Sequence, residues 1–260
     1  MGFYAVVLML AVGLSLLVPA PVEQWNPILV RSGAVVMAAL LVGTVMTRAT
    51  DWSWGAQGWP GRRAALVGFE TGLLVGLGLA AAVVVGAMIL GARVRFTGGT
   101  LAAIALAVAP AMAGLLTAAL AEELLFRGFP LARLSAEVGR VPATLTLAGV
   151  FAALHWNNPG ISAVAVLNIA LAGVVLSAAF FGPGGLAAAW GLHFGWNAGL
   201  GLVFEAPVSG LTFELPFVDF ATGGSPWLTG GGFGPEGGML ATVAFGVVLG
   251  LWRRRFRPAV

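Results

Sequence analysis

The sequence predicts an all-α fold, a polytopic transmembrane helical bundle of about eight transmembrane helices, on three observations. Hydrophobic residues make up 59% of the 260-residue chain and charged residues only 9%, where a soluble domain carries roughly a quarter charged. The mean hydropathy is +0.98. The apolar residues fall into eight runs, most of them near the ~20 residues that a bilayer-spanning helix consumes. With loops, eight such helices use up the chain, so residues 1–260 are expected to form a single integral-membrane domain embedded in the lipid bilayer.

The first run, residues 3–20, has no Lys or Arg before Arg31. Pro21 follows Ala20, where a signal peptidase would have to cut, so this run reads as an uncleaved span. Residues 28–47 form the second run and 64–90 the third. In the third, Gly68, Gly72 and Gly76 recur every four residues and lay a flat stripe along one helix face, where a neighbouring backbone can approach. The fourth run starts at Thr100 and continues past Phe126. The fifth, residues 141–156, is barely long enough to span, which places the break at Asn157, Asn158, Pro159 and Gly160 at membrane depth, facing protein or water. Residues 161–181, 185–204 and 238–252 complete the set. The stretch 223–238 reads as flexible from its glycine content.

Orientation follows from the arginines, which supply all thirteen basic residues. With both termini cytoplasmic, Arg48, Arg62, Arg63, Arg127, Arg133, Arg140, Arg253, Arg254, Arg255 and Arg257 lie inside. The loop 205–237, with Glu205, Glu214, Asp219 and Glu236, then lies outside, and Arg93 and Arg95 are the dissenting outer arginines. The sequence pI is near 11.0, yet the net charge is only +3 and the arginines are scattered between apolar runs, so no nucleic-acid partner is expected. The absence of cysteine excludes disulfides, Cys-ligated zinc and a thiol nucleophile.

Ionisable groups inside apolar spans are expensive and mark sites. They are Arg31, Glu70, Glu122, Glu123, Arg127, His155 and His193, with Asn168 and Asn197 as buried amides. Arg31 is close enough to a span end to snorkel, and Glu70, two turns inside from Arg62 and Arg63, is explained by a charge pair or a neutral carboxyl as well as by a role. Glu123 and Arg127 are spaced i, i+4 and can pair. Glu122 points about 100° away from Glu123 and is left without a local partner, which makes it the better candidate for a proton-handling carboxylate. His193 and Asn197 share another i, i+4 face, and Phe151 stands one turn before His155. Glu122 and His155 are equidistant from the turn marked by Glu137, Gly139, Arg140 and Pro142, so an antiparallel hairpin would bring them level.

Residue types remove several hydrolase classes. Neither histidine opens a His-Glu-x-x-His zinc motif, and the only aspartates, Asp51 and Asp219, lie in loops. A serine/histidine site is available only as a bare Gly160-Ile161-Ser162 with His193. The ordered set Glu122-Glu123-x-x-x-Arg127, Phe151-x-x-x-His155 and His193-x-x-x-Asn197 resembles the three motifs of the CAAX prenyl endopeptidase and bacteriocin-processing (CPBP, or Abi) intramembrane proteases. The resemblance covers about 117–204, within a catalytic core of about 100–204.

That resemblance implies an intramembrane endopeptidase of the glutamic type, formerly classed as a metalloprotease. Glu122 would activate water with help from His155, His193 and Asn197 would stabilise the oxyanion, and Glu123, Arg127 and Phe151 would give structural support. Zinc on Glu122, His155 and His193 is the alternative. No cofactor is favoured, because Asn197 suits an oxyanion better than a metal. The expected partner is a membrane-embedded or membrane-associated peptide or protein, at a bacterial inner (cytoplasmic) membrane. The competing class is a non-enzymatic membrane protein, either a proton- or ion-coupled transporter or a bacteriocin self-immunity or scaffold protein using the same Glu/His cluster. Transporter halves repeat their broken helices in corresponding positions. The N-terminal half here has no counterpart of the cluster, which favours the protease.

Overall fold

The computed structural model describes residues 2–19 and 26–253. The Ala20–Pro21 step and Arg254, Arg255 and Arg257 of the terminal arginine run lie outside the described residues. In chain order the helices are α1 (Gly2–Ser15), α2 (Pro27–Ala49), α3 (Arg62–Ile89), α4 (Leu101–Phe126), α5 (Phe129–Val138), α6 (Arg140–Leu154), α7 (Ala163–Phe180), α8 (Gly185–Ala198), a single turn α9 (Pro226–Thr229) and α10 (Met239–Trp252). All eight apolar runs form helix. Among the described residues, four helical stretches are long and apolar enough to cross a membrane: α2, α3, α4 together with α5, and α7. Three others, α1, α6 and α10, hold 14, 15 and 14 residues, and the 14 residues of α8 continue into a π-helical turn, Gly199–Val203. Helix length therefore supports an all-helical membrane fold but not the expected count of eight crossings. The shortfall has local causes: α6, for example, gives way at His155, just before Asn157, Asn158 and Pro159.

Two short strands interrupt the all-helical pattern. β1 (Arg93–Phe96) follows α3 and pairs antiparallel with β2 (Val218–Ala221), placing Arg95 opposite Asp219. Opposite charges at the facing positions Arg95 and Asp219 favour the pairing.

The closest helix contact is α3 on α8. A methyl placed on Gly68 would lie 2.5 Å from the Gly184 Cα, on Gly72 2.7 Å from the Leu192 nitrogen, and on Gly76 2.6 Å from the Trp196 nitrogen. Gly191 and Gly195 return the contact against the carbonyls of Phe69 and Leu73. Partner numbers rise together along both helices, so α3 and α8 run parallel. Lipid tails are as apolar as leucine, so the energy of such a contact comes from close backbone packing.

The expected hairpin is more elaborate than two helices. Its turn falls at Gly139, whose φ of 88° suits glycine. The arm before that turn is broken at Gly128, however, and α6 packs on α5 and α7. The expected flexible stretch 223–238 is also different. It folds into α9 and two 3-10 turns with Phe233 and Glu236 buried, because its glycines adopt positive φ at Gly224, Gly230, Gly231 and Gly234 and let backbone approach backbone.

Candidate active site

The site is assembled from the C-terminal turns of α4, the end of α6 and the middle of α8. Thr100 caps α4, its side chain accepting from the Ala103 N–H, and Asn26, the N-cap of α2, donates to the Pro110 carbonyl at 2.8 Å, bracing α4 where proline removes a helical hydrogen bond. Beyond that brace, toward the end of α4, stand Glu122 and Glu123. Glu123 is fully buried and Arg127 is 1% exposed, and they form the expected ion pair at 2.9 Å. Arg127 also donates to the Gly173 carbonyl of α7 at 3.3 Å and lies 4.6 Å from the centre of the Phe151 ring.

Glu123 has a further partner that sequence spacing did not reveal. Its Oε1 accepts a 2.8 Å hydrogen bond from His193 Nδ1. A carboxylate can only accept, so that nitrogen carries the hydrogen and Nε2 is left for chemistry. His155 repeats the arrangement, its Nδ1 donating to the Phe151 carbonyl at 2.7 Å. Phe151 packs 4.6 Å from the His155 ring and 6.2 Å from the His193 ring, centre to centre, and edge-on to Phe126 of α4. One aromatic residue thus walls both imidazoles and the guanidinium.

Glu122 differs from its neighbour as expected. Its side chain is 35% exposed, and it lacks the ion pair and histidine bond that Glu123 Oε1 makes. In both residues Oε2 has no hydrogen-bond partner among the described residues, but in Glu122 it faces His193. That oxygen lies 3.7 Å from His193 Nε2, within ion-pair range but too long for a hydrogen bond. Glu122, His155, His193 and Asn197 all line one cavity of about 440 Å³. Its walls are otherwise largely apolar, with Leu115, Leu154, Ile169, Leu192 and Phe245 among them.

Of the other candidates, Ser162 and Glu70 fall elsewhere, while Asn168 also borders the cavity. Ser162 caps α7, accepting from the Ala165 N–H, and is absent from the cavity lining, which removes the serine/histidine alternative. Glu70 is exposed on α3, and Asn168 is a structural amide donating to the Glu236 and Gly238 carbonyls at 2.8 Å each. Each histidine donates from Nδ1 to an oxygen acceptor, the arrangement that orients metal-ligating imidazoles. Among the described residues, no group of three or more His, Cys, Asp or Glu side chains is placed to hold a metal ion.

Sequence reasoning missed Asn158, Trp196, Ser209 and Glu236, all of which line the cavity. Glu236 was grouped with the outer loop charges, yet it is buried, accepting from the Trp196 indole at 2.9 Å and from the Ser209 hydroxyl at 2.7 Å. A glycine-rich surround normally signals a solvated loop, and no periodicity in residues 205–237 points the other way.

No curated protein and no solved structure matches the chain. Residues 104–199 match the family model described as type II CAAX prenyl endopeptidase Rce1-like. That span opens within α4, closes just after α8, and contains every residue of the three motifs. The segment that brings Glu122, His155, His193 and Asn197 to the cavity is therefore the one similar to type II CAAX prenyl endopeptidases, the protease family that the Glu-Glu-Arg, Phe-His and His-Asn motifs resemble.

Proposed function

We propose that the protein is an intramembrane endopeptidase of the glutamic type that hydrolyses a peptide bond in or near the bilayer. The observation that carries this reading is the convergence of Glu122, His155, His193 and Asn197 on one largely apolar cavity. Glu122, without a hydrogen-bond partner for Oε2 among the described residues, takes a proton from water that His155 helps to hold. The hydroxide so formed attacks the scissile carbonyl. His193, braced through Nδ1 by Glu123 and Arg127, and the Asn197 amide receive the developing oxyanion, and Glu122 returns its proton to the departing amine. Every step uses groups of this chain and water, and no metal is called upon.

The substrate is a membrane-embedded or membrane-associated peptide, the setting a bacterial inner membrane with both termini cytoplasmic, and the helices make eight crossings. The decisive experiment reconstitutes the protein in liposomes with a panel of synthetic transmembrane peptides and reads cleavage by mass spectrometry. Cleavage by the wild type that Glu122→Gln abolishes, at equal folded protein, supports the mechanism. Undiminished cleavage by Glu122→Gln would remove Glu122 as the base.

A further inference from the structure

The buried carboxylate of Glu236 has no part in the chemistry just described, yet it is the node of a hydrogen-bonded network. Oε1 accepts from both the backbone N–H and the hydroxyl of Ser209, and Oε2 from the Trp196 indole. The Ser209 carbonyl in turn accepts from Asn158 Nδ2 at 3.1 Å. From the other side, Asn168 holds the Glu236 and Gly238 carbonyls and accepts from Thr242 of α10 at 2.6 Å. Asn158 stands three residues after His155, and Trp196 stands three after His193 and one before Asn197. The network therefore joins the end of α6 to α8 across the cavity, through a segment that lies outside the span 104–199.

We infer that Glu236 is a positioning residue of the active site. It fixes the segment 205–237 as a wall of the cavity and, through Ser209 and Trp196, sets the separation of His155 from His193 and Asn197. This inference rests on the endopeptidase reading. A loop that merely covered apolar helices could do so with apolar side chains, since burying a carboxylate is costly unless several donors satisfy it. Three donors aimed at one carboxylate specify a geometry that apolar packing would leave loose.

The test uses a peptide cleaved by the wild type in the liposome assay and compares Glu236→Ala, Glu236→Gln and Glu236→Asp, with rates expressed per folded molecule. A misplacement near 1 Å costs on the order of 100-fold in rate, so Glu236→Ala is expected to lower kcat by about 10- to 100-fold with KM changed less than about threefold. Glu236→Gln keeps an acceptor for Ser209 and loses the Trp196 bond, and is expected to fall between. Cysteines at 158 and 209, joined by a short thiol-to-thiol linker, should recover part of the Glu236→Ala loss in this cysteine-free chain. Lower folded yield with unchanged kcat, or a raised KM with unchanged kcat, would overturn the positioning role while leaving the hydrolase intact. Wild-type inactivity on the whole panel would overturn the endopeptidase reading and this inference with it, whereas dependence on Glu122 without dependence on Glu236 overturns this inference alone.

Discussion

Substituting Gly76 with alanine is the sharpest probe of how α3 supports α8, the helix that carries His193 and Asn197. The added methyl would stand 2.6 Å from the Trp196 nitrogen and closer still to the Leu192 carbonyl. Both are α8 backbone atoms and cannot rotate away. Restoring an ordinary van der Waals gap requires the helices to part by roughly 1 Å. Because α8 carries His193 and Asn197, the displacement is passed directly to the two groups proposed to bind the oxyanion, and a shift of that size is expected to cost about 100-fold in rate. Overpacking of this kind also destabilises by about 1–3 kcal/mol. At Gly78, two residues along, an added methyl would find nothing within 4 Å, so Gly78→Ala is the control, expected to keep wild-type activity and melting temperature. The assay pairs thermal unfolding in detergent with peptide cleavage in liposomes. If Gly76→Ala melts and cleaves like Gly78→Ala, the α3 backbone does not set the position of α8.

Arg127→Ala leaves Glu123 buried without its cation, a loss of typically about 3–5 kcal/mol, and should show as a lower yield of folded protein in size-exclusion chromatography. Cysteines at 122 and 155, which both line the cavity, should be joined by a short thiol-to-thiol linker in membranes, whereas cysteines at 117 and 155 should not; better linking of the control pair would refute the expected hairpin register and the proposed water-activating pair. A reporter active only outside the cytoplasmic membrane should stay silent when inserted after Gly139 and give signal when inserted after Gly98, and the reverse pattern would invert the orientation. Ser162→Ala removes only the α7 cap, costing about 1 kcal/mol of stability, and cleavage per folded molecule should be unchanged; lost cleavage would restore the serine alternative.

The helices and the pairing of Glu123 with Arg127 were legible because both leave local signals. A run of apolar residues between glycine, proline and arginine can only be helix in a bilayer, and Glu123 with Arg127 announces its pairing by a spacing of four. The stripe at Gly68, Gly72 and Gly76 was equally readable as a contact face, although nothing in it names α8 as the partner. What escaped depends on contacts distant in sequence. Glu123 meets His193 seventy residues away, and a single i, i+4 assignment had already accounted for its charge. Glu236 is surrounded by glycines, which by composition mean solvent and here mean close backbone packing. The hairpin register was read from symmetry about a turn, and the break at Gly128 inserts a separate helix into one arm.

The cavity described above has two origins along the chain. Glu122, His155, His193 and Asn197 come from inside 104–199, while Ile28, Val208, Leu211, Phe213 and Phe245, which also face it, come from outside. The motif residues and much of the wall thus share one stretch, and the flanks complete the container. Substitutions at Val208, Leu211 or Phe213 can reshape the cavity without touching Glu122, His155, His193 or Asn197. On the proposed endopeptidase reading, a chain built this way changes its substrate by drift in its flanks while the motif residues stay fixed. Exchanging residues 205–237 between such chains is then a direct route to retargeting one, provided that Glu236 and Ser209 travel together.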